Sequence, residues 1–379
     1  MDEHDPLAAA AQRAKTYTEP VPTQPAAPAP VLEASTPQPS VTDTRTQSTT
    51  AAVVGDVGAG RNDPRAALTT GALSVTDPAD TATPTHGWRR AAARLGLPVG
   101  PSKADIAAAK QAAELRRSAT VVRQSTWTRA VGVLVANRKG GVGKTPTSLA
   151  LGGVLATERG GSVAIVEVSD DPGTLTLRAE GSPKLGIGEL VRDADSITSS
   201  GQLSGYTAPQ TSYARVIGSA RGRGALDGDG LTRAFRCIDT YYQIRVMDSG
   251  NQPTSSAFQA SVDAADALVI PLLNSADGVL EAESLLRYLR TLGPHGQRLA
   301  DTSTVVRLVD GRPENPDVMQ HLDALLHAAK PGAILTVPYD PHIADRGEIT
   351  LSRLAPATRA AFTHVAASTI HALNHNVNR

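Results

Sequence analysis

Beyond residue 130, continuous apolar runs alternate with segments whose apolar positions recur at helical spacing. The runs predict strands at Val131–Ala136, Ser162–Val168, Ala214–Ile217, Ile244–Asp248, Ala267–Leu273, Thr304–Val309 and Ala333–Val337. The periodic segments predict helices at Lys144–Thr157, Leu231–Ile238, Ser255–Ala264, Gly278–Leu292, Pro316–Ala328 and Pro356–Leu373. Such alternation implies an α/β fold: a doubly wound, largely parallel sheet with helices on both faces and ligands at the carboxyl ends of the strands. Upstream, Ser102 and Asp105 are spaced as a capping box ahead of a connecting helix at Ile106–Arg117.

Composition changes the picture for the first part of the chain. Of the 26 prolines in 379 residues, 13 fall between Pro6 and Pro101, among Ala, Thr, Ser and Gln. Such a segment buries too little apolar surface to offset chain entropy, so residues 1–85 are expected to be a disordered Pro/Ala/Thr-rich region. Residues 86–127 then hold a short basic amphipathic helix, Trp88–Leu95, and the connecting helix, leaving 128–379 as one α/β domain. The Trp88 helix is a candidate docking element for an acidic partner or anionic lipid. Formal net charge is zero, which does not advertise nucleic-acid binding. The single cysteine, Cys237, excludes an intramolecular disulfide framework and reads as an apolar filler on a helix. An acidic N-terminus without an apolar h-region, and no run of about 18 apolar residues, point to a cytoplasmic protein without a membrane span.

The chemistry concentrates where the first predicted strand meets its helix, in Arg138-Lys139-Gly140-Gly141-Val142-Gly143-Lys144-Thr145. Strand, glycine-rich loop and helix in that order form a P-loop NTPase phosphate site. The backbone N–H groups of Gly140, Gly141, Val142 and Gly143 turn inward on a polyphosphate, and the helix N-terminus adds positive potential. Lys144 reaches the β- and γ-phosphates of ATP, and the Thr145 hydroxyl ligates Mg²⁺. Asp248, ending an apolar strand further on, fits the Walker B carboxylate that holds the same ion. Pro146 lacks the N–H that follows the Ser/Thr in other P-loops. That loss of a charge-assisted hydrogen bond, about 1.5–3 kcal/mol, predicts a weak binder. His342 reads as a surface or capping histidine rather than a catalyst.

Lys139 ahead of Gly-Gly-x-Gly-Lys-Thr resembles the deviant Walker A loop of the MinD/ParA superfamily of ATPases. The resemblance covers about residues 128–375. It implies an ATP-dependent homodimer in which Lys139 reaches the partner's phosphates, with Lys144 as the in-line lysine and Thr145 as magnesium ligand. It further implies a water-positioning acid after the second strand: Glu167 when the strand end is matched, Asp171 when Asp-Pro is matched. Ser169 stands in place of an aspartate in the latter alignment, so slow ATP hydrolysis is expected. Pro338 and Tyr339 correspond to the loop that lines the adenine pocket. A narrower likeness rests on Gly87-Trp88-Arg89-Arg90, Pro338-Tyr339-Asp340-Pro341-His342 and Leu354-Ala355-Pro356-Ala357-Thr358-Arg359. These are similar to the MinD-like ATPases of actinobacterial type VII (ESX) secretion loci, the EspI-like group. That likeness implies secretion machinery as a protein partner, reached through the N-terminal region. Two other readings stay open. One is a ParA-type partition ATPase binding nonspecific DNA, for which Arg215, Arg221 and Arg223 do not amount to a basic face. The other is a non-hydrolysing scaffold with a decayed loop. Few basic residues in 356–379 argue against a lipid anchor, and one cysteine argues against an iron–sulfur relative.

Overall fold

A computed structural model describes Leu95, residues 100–220 and residues 222–377. The expected disordered head (1–85), all of the Trp88 helix except Leu95, and Arg221 lie outside these residues. The chain in order is α1 (Lys103–Gln124), β1 (Val131–Val135), α2 (Lys144–Arg159), β2 (Val163–Glu167), α3 (Leu175–Arg178), α4 (Ile187–Asp193) and α5 (Ser200–Ser204). It continues as β3 (Ala208–Pro209), β4 (Arg215–Ile217), α6 (Gly228–Tyr241), β5 (Ile244–Asp248), α7 (Ser256–Asp263), β6 (Ala267–Leu273) and α8 (Ala276–Thr291). It closes with α9 (Gly293–Asp301), β7 (Thr304–Leu308), α10 (Pro316–Ala328), β8 (Ala333–Val337), α11 (Pro341–Ala344) and α12 (Pro356–Val377).

The strands form one sheet in the order β3-β4-β2-β5-β1-β6-β7-β8. Every pairing is parallel except β3 with β4. The central strands are buried along their whole length, which is why they appear in the sequence as unbroken apolar runs. Side-chain alternation divides the core. Leu134, Val166 and Met247 face one layer with α6, α7 and α8, while Val133, Ile165 and Val246 face the other with α2 and α12.

The capping box forms as expected, with the Asp105 N–H donating to Ser102 Oγ at 3.1 Å and the Ser102 N–H returning to Asp105 Oδ2 at 3.0 Å. The helix it starts runs beyond the expected Ile106–Arg117, because Ala119 and Val122 bury against the body. Trp127 Nε1 donates to Asn374 Oδ1 at 3.0 Å, and Ser118 Oγ lies 2.9 Å from His364 Nδ1. The connecting helix is thereby part of the same body as the sheet. Among the described residues no helix is long and apolar enough to cross a membrane.

Register fixes where the chemistry falls. Val135 at the end of β1 pairs with Asp248 at the end of β5, and Glu167 at the end of β2 pairs with the same Asp248. The first helix-bearing loop and both strand-end carboxylates therefore emerge at one level of the sheet edge.

Candidate functional site

The glycine-rich loop leaves β1 and closes on α2, whose N-cap is Gly143 at φ 93°. That left-handed backbone, with Gly141 at φ 74°, is what glycine permits without strain. A Cβ at Gly143 would also collide with Leu308 of β7. Asn137, buried at the end of β1, braces the loop: its Nδ2 donates to the Pro271 carbonyl at 2.9 Å and its Oδ1 accepts from the Lys139 N–H at 3.0 Å. Pro146 sits in the first turn of α2, and the helix closes over it with Thr147 N–H donating to the Gly143 carbonyl at 3.0 Å.

Lys144 folds back over the loop and donates to the carbonyls of Asn137 at 3.1 Å and Lys139 at 3.0 Å, and to Asn251 Oδ1. Burial pushes its ammonium down to about 8, against the opposing pull of Asp248. Thr145 Oγ1 donates to Asp248 Oδ2 at 2.7 Å, and Ser148 Oγ, one turn on, donates to Asp248 Oδ1 at 3.1 Å. Burial raises the Asp248 carboxyl to about 6; the two hydroxyls oppose the shift, Glu167 adds to it, and Lys144 relieves it a little. The bonded partners of Asp248 are hydroxyls and not cations, so its charge is only partly balanced. Thr145 and Asp248 offer hard oxygen donors, side by side, to a divalent cation, and Mg²⁺ fits that donor set.

Glu167 is buried on the neighbouring strand. Its Oε1 accepts from the Gly173 N–H at 2.9 Å, from Arg223 Nη2 at 3.0 Å and from Ser219 Oγ. Its Oε2 is buried without a hydrogen-bond partner among the described residues. Asp171, the other candidate acid, is exposed; its carbonyl accepts from Ser169 Oγ at 2.6 Å and Arg223 Nη2 at 3.2 Å. Asp170 instead accepts from Ser255 Oγ at 2.7 Å, tying this loop to the start of α7.

One cavity of about 1040 Å³ joins these groups to the far end of the sheet. Gly140, Gly141, Gly143, Lys144, Thr145, Glu167, Asp171, Asp248, Pro338 and Tyr339, all singled out from the sequence, line it. Lys139 and Val142 do not. Val142 is buried beneath the loop, and the Lys139 ammonium pairs with Asp277 at the start of α8. Arg138 reaches the same helix face, donating to Ser284 Oγ at 2.5 Å. His342, expected to be a surface or capping histidine, is buried in the first turn of α11, and its Nε2 accepts from the Thr350 N–H at 3.0 Å. Its backbone N–H donates to Asp340 Oδ1 at 2.9 Å, so it braces the loop after β8, and it is not among the residues that line the cavity. Cys237 is a buried filler on α6, as expected.

Sequence reading passed over Asn137, Ser148, Ser219 and Asn251, and weighed Arg223 only as part of a basic face. Ser148 had a legible signal, lying one helical turn after Thr145 on the same face. The other contacts depend on loops meeting in space.

Residues 133–350 match the family of CobQ/CobB/MinD/ParA nucleotide binding domains. The ESX-1 secretion-associated protein EspI of Mycobacterium tuberculosis is 24% identical over 294 residues, 75% of this chain and 42% of that protein. The chain thus spans well under half the length of the curated relative it matches. Among solved structures, apo McdA from Cyanothece is similar at 22% identity and TM-score 0.47, over 63% of this chain and 99% of that one. The septum site-determining protein MinD complexed with Mg-ADP, from Pyrococcus horikoshii, is similar at 16% identity and TM-score 0.47, over 62% and 94%. With more than half the chain matched and a glycine-rich loop set beside a strand-end aspartate, this protein belongs to the CobQ/CobB/MinD/ParA nucleotide-binding family.

Proposed function

We propose that the chain is a MinD/ParA-type ATPase in which MgATP drives a dimerisation switch, and that this switch serves type VII secretion. The observation that carries the reading is the convergence of Lys144, Thr145 and Asp248 at one end of the cavity. In this reading the N–H groups of Gly140–Gly143 surround the phosphates, Lys144 neutralises their charge, and Thr145 and Asp248 hold Mg²⁺. Bound magnesium supplies charge neutralisation at the phosphate oxygens. Glu167, the more deeply placed of the two candidate acids, accepts a hydrogen bond from the attacking water. The water oxygen bonds to the terminal phosphorus as the bond to the bridging oxygen breaks, leaving ADP and phosphate, which takes the proton. Pro146 removes one donor from the phosphate cradle, so binding is expected to be weak and turnover slow.

Lys139 is the dimer lysine in this reading. Its partner Asp277 is exposed, so the pair is a surface bridge of about 0–1 kcal/mol that a better partner displaces readily. The similarity to EspI supports the secretion link. Light scattering of the full chain during gel filtration tests the switch. Dimer with MgATP, monomer without it, and monomer in both conditions for Lys139→Ala are the expected results. A wild-type chain that binds MgATP and stays monomeric would contradict the switch.

A further inference from the structure

The geometry points to Arg223 as a positioning residue for hydrolysis: it fixes Glu167 so that one carboxylate oxygen is left to orient water. The inference rests on reading the site as an ATPase. Arg223 belongs to the glycine-rich loop between β4 and α6, far in sequence from the phosphate loop, and its side chain is only 8% exposed. Its Nε donates to Ser219 Oγ at 2.9 Å, and its Nη1 donates to the carbonyls of Asp170 and Gly224. Its Nη2 faces Glu167 Oε1 at 3.0 Å, the Ser169 carbonyl at 2.8 Å and the Asp171 carbonyl at 3.2 Å. Three successive carbonyls, 169–171, thus turn inward on a single cation. The loop after β2 takes its shape from that guanidinium, whose rigid fork of donors suits several acceptors at fixed angles.

The same cation decides which oxygen of Glu167 remains available. All three donors to this carboxylate, from Gly173, Ser219 and Arg223, converge on Oε1. Oε2 is buried and accepts nothing from the described residues, although Glu167 lines the cavity. Buried polar atoms are paired in folded proteins, so an orphan on a residue that lines a cavity marks the place of a water or substrate group. Glu167 also stands in register with Asp248, which puts it beside the phosphate end and not the base end. A Cβ at Gly173 would sit 3.0 Å from Oε2, so glycine there keeps a side chain from crowding that oxygen. Arg223 therefore balances the charge of Glu167, occupies one of its oxygens and holds the loop that walls it in. Arg223 itself is not among the residues that line the cavity.

Steady-state phosphate release by the full chain tests this with wild type, Arg223→Met, Glu167→Gln and the double variant. Arg223→Met is expected to lower kcat by about 10²-fold, the scale of an Å-level misplacement, with KM within about two-fold. The double variant is expected to be no slower than Glu167→Gln alone. Arg223→Lys keeps the charge without the fork and is expected to lose about ten-fold; it carries the test if Arg223→Met does not fold. Wild-type kcat in the Arg223 variants would overturn the inference alone. So would losses that multiply with those of Glu167→Gln, or that fall on KM. A wild-type chain that binds MgATP and releases no phosphate would instead overturn the hydrolysis reading, and the inference with it.

Discussion

Glu167 and Asp248 end neighbouring strands in register, and the fold serves them in opposite ways. Asp248 has both oxygens bonded to hydroxyls, from Thr145 and Ser148, and no cation bonded to it. Glu167 has a guanidinium of its own and one oxygen with no hydrogen-bond partner among the described residues. The first arrangement leaves a negative charge unbalanced in a dry place, and the carboxyl rises to about 6 as a result. A site of that kind is completed by an added cation. The second is already neutral as a pair, so the spare oxygen is free to accept from a neutral molecule such as water. Two acids of similar burial are thereby assigned different work by their partners.

The largest expected effect that sharpens this contrast is on stability, and its sign differs between the two. Glu167→Gln leaves Arg223 buried against a neutral amide, and breaking a buried pair costs about 3–5 kcal/mol. Asp248→Asn removes a charge that the fold holds at a disadvantage. Its shift from 3.8 to about 6 corresponds to about 3 kcal/mol of stability regained at neutral pH in the nucleotide-free chain. Urea unfolding of the two variants beside wild type checks both signs. Destabilisation by both would break the comparison.

Next comes pH. The Asp248 carboxyl is raised in the folded state, so its contribution is fully present below its ordinary value and is lost as pH rises through about 6. Nucleotide-free wild type is expected to lose stability between about pH 4 and 6 by a component that Asp248→Asn lacks. Binding of MgATP requires Asp248 ionised and Lys144 charged. Affinity is therefore expected to be greatest between about pH 6 and 8 and to decline on either side, as isothermal titration across pH would record.

A smaller effect is expected at Gly173, where Ala would press on Glu167 Oε2 from 3.0 Å. Phosphate release by Gly173→Ala should fall by about ten-fold with nucleotide affinity unchanged, on the scale of a sub-Å displacement of a positioned group. Smallest is Asp277→Ala, which removes an exposed partner of Lys139 and should shift unfolding by less than about 1 kcal/mol.

Much of the sheet was legible because its strands are buried on both faces and appear as apolar runs. Ile244–Asp248, Ala267–Leu273 and Ala333–Val337 coincide with β5, β6 and β8. The two-residue β3 and the short helices α3, α4, α5 and α11 were not predicted, since so few residues carry no usable period; α9, which follows α8 after the single residue Leu292, was not recognised as a helix of its own. The phosphate loop was legible because its parts are contiguous and glycine is required at positive φ. Arg223 was not, because its role depends on a loop more than 50 residues from Glu167 folding across the end of β2. As a residue in an Arg-Gly-Arg-Gly run it reads as solvated surface charge, and the structure instead buries it against carbonyls.

The most direct test of the account is the affinity of the full chain for ATP with and without magnesium, measured by calorimetry for wild type and Asp248→Asn. The account expects wild type to bind about ten-fold or more tightly with magnesium, and the variant to bind equally in both conditions. Equal binding by wild type with and without magnesium would contradict the assignment of Thr145 and Asp248. No binding in any condition by a folded chain would contradict the phosphate site itself.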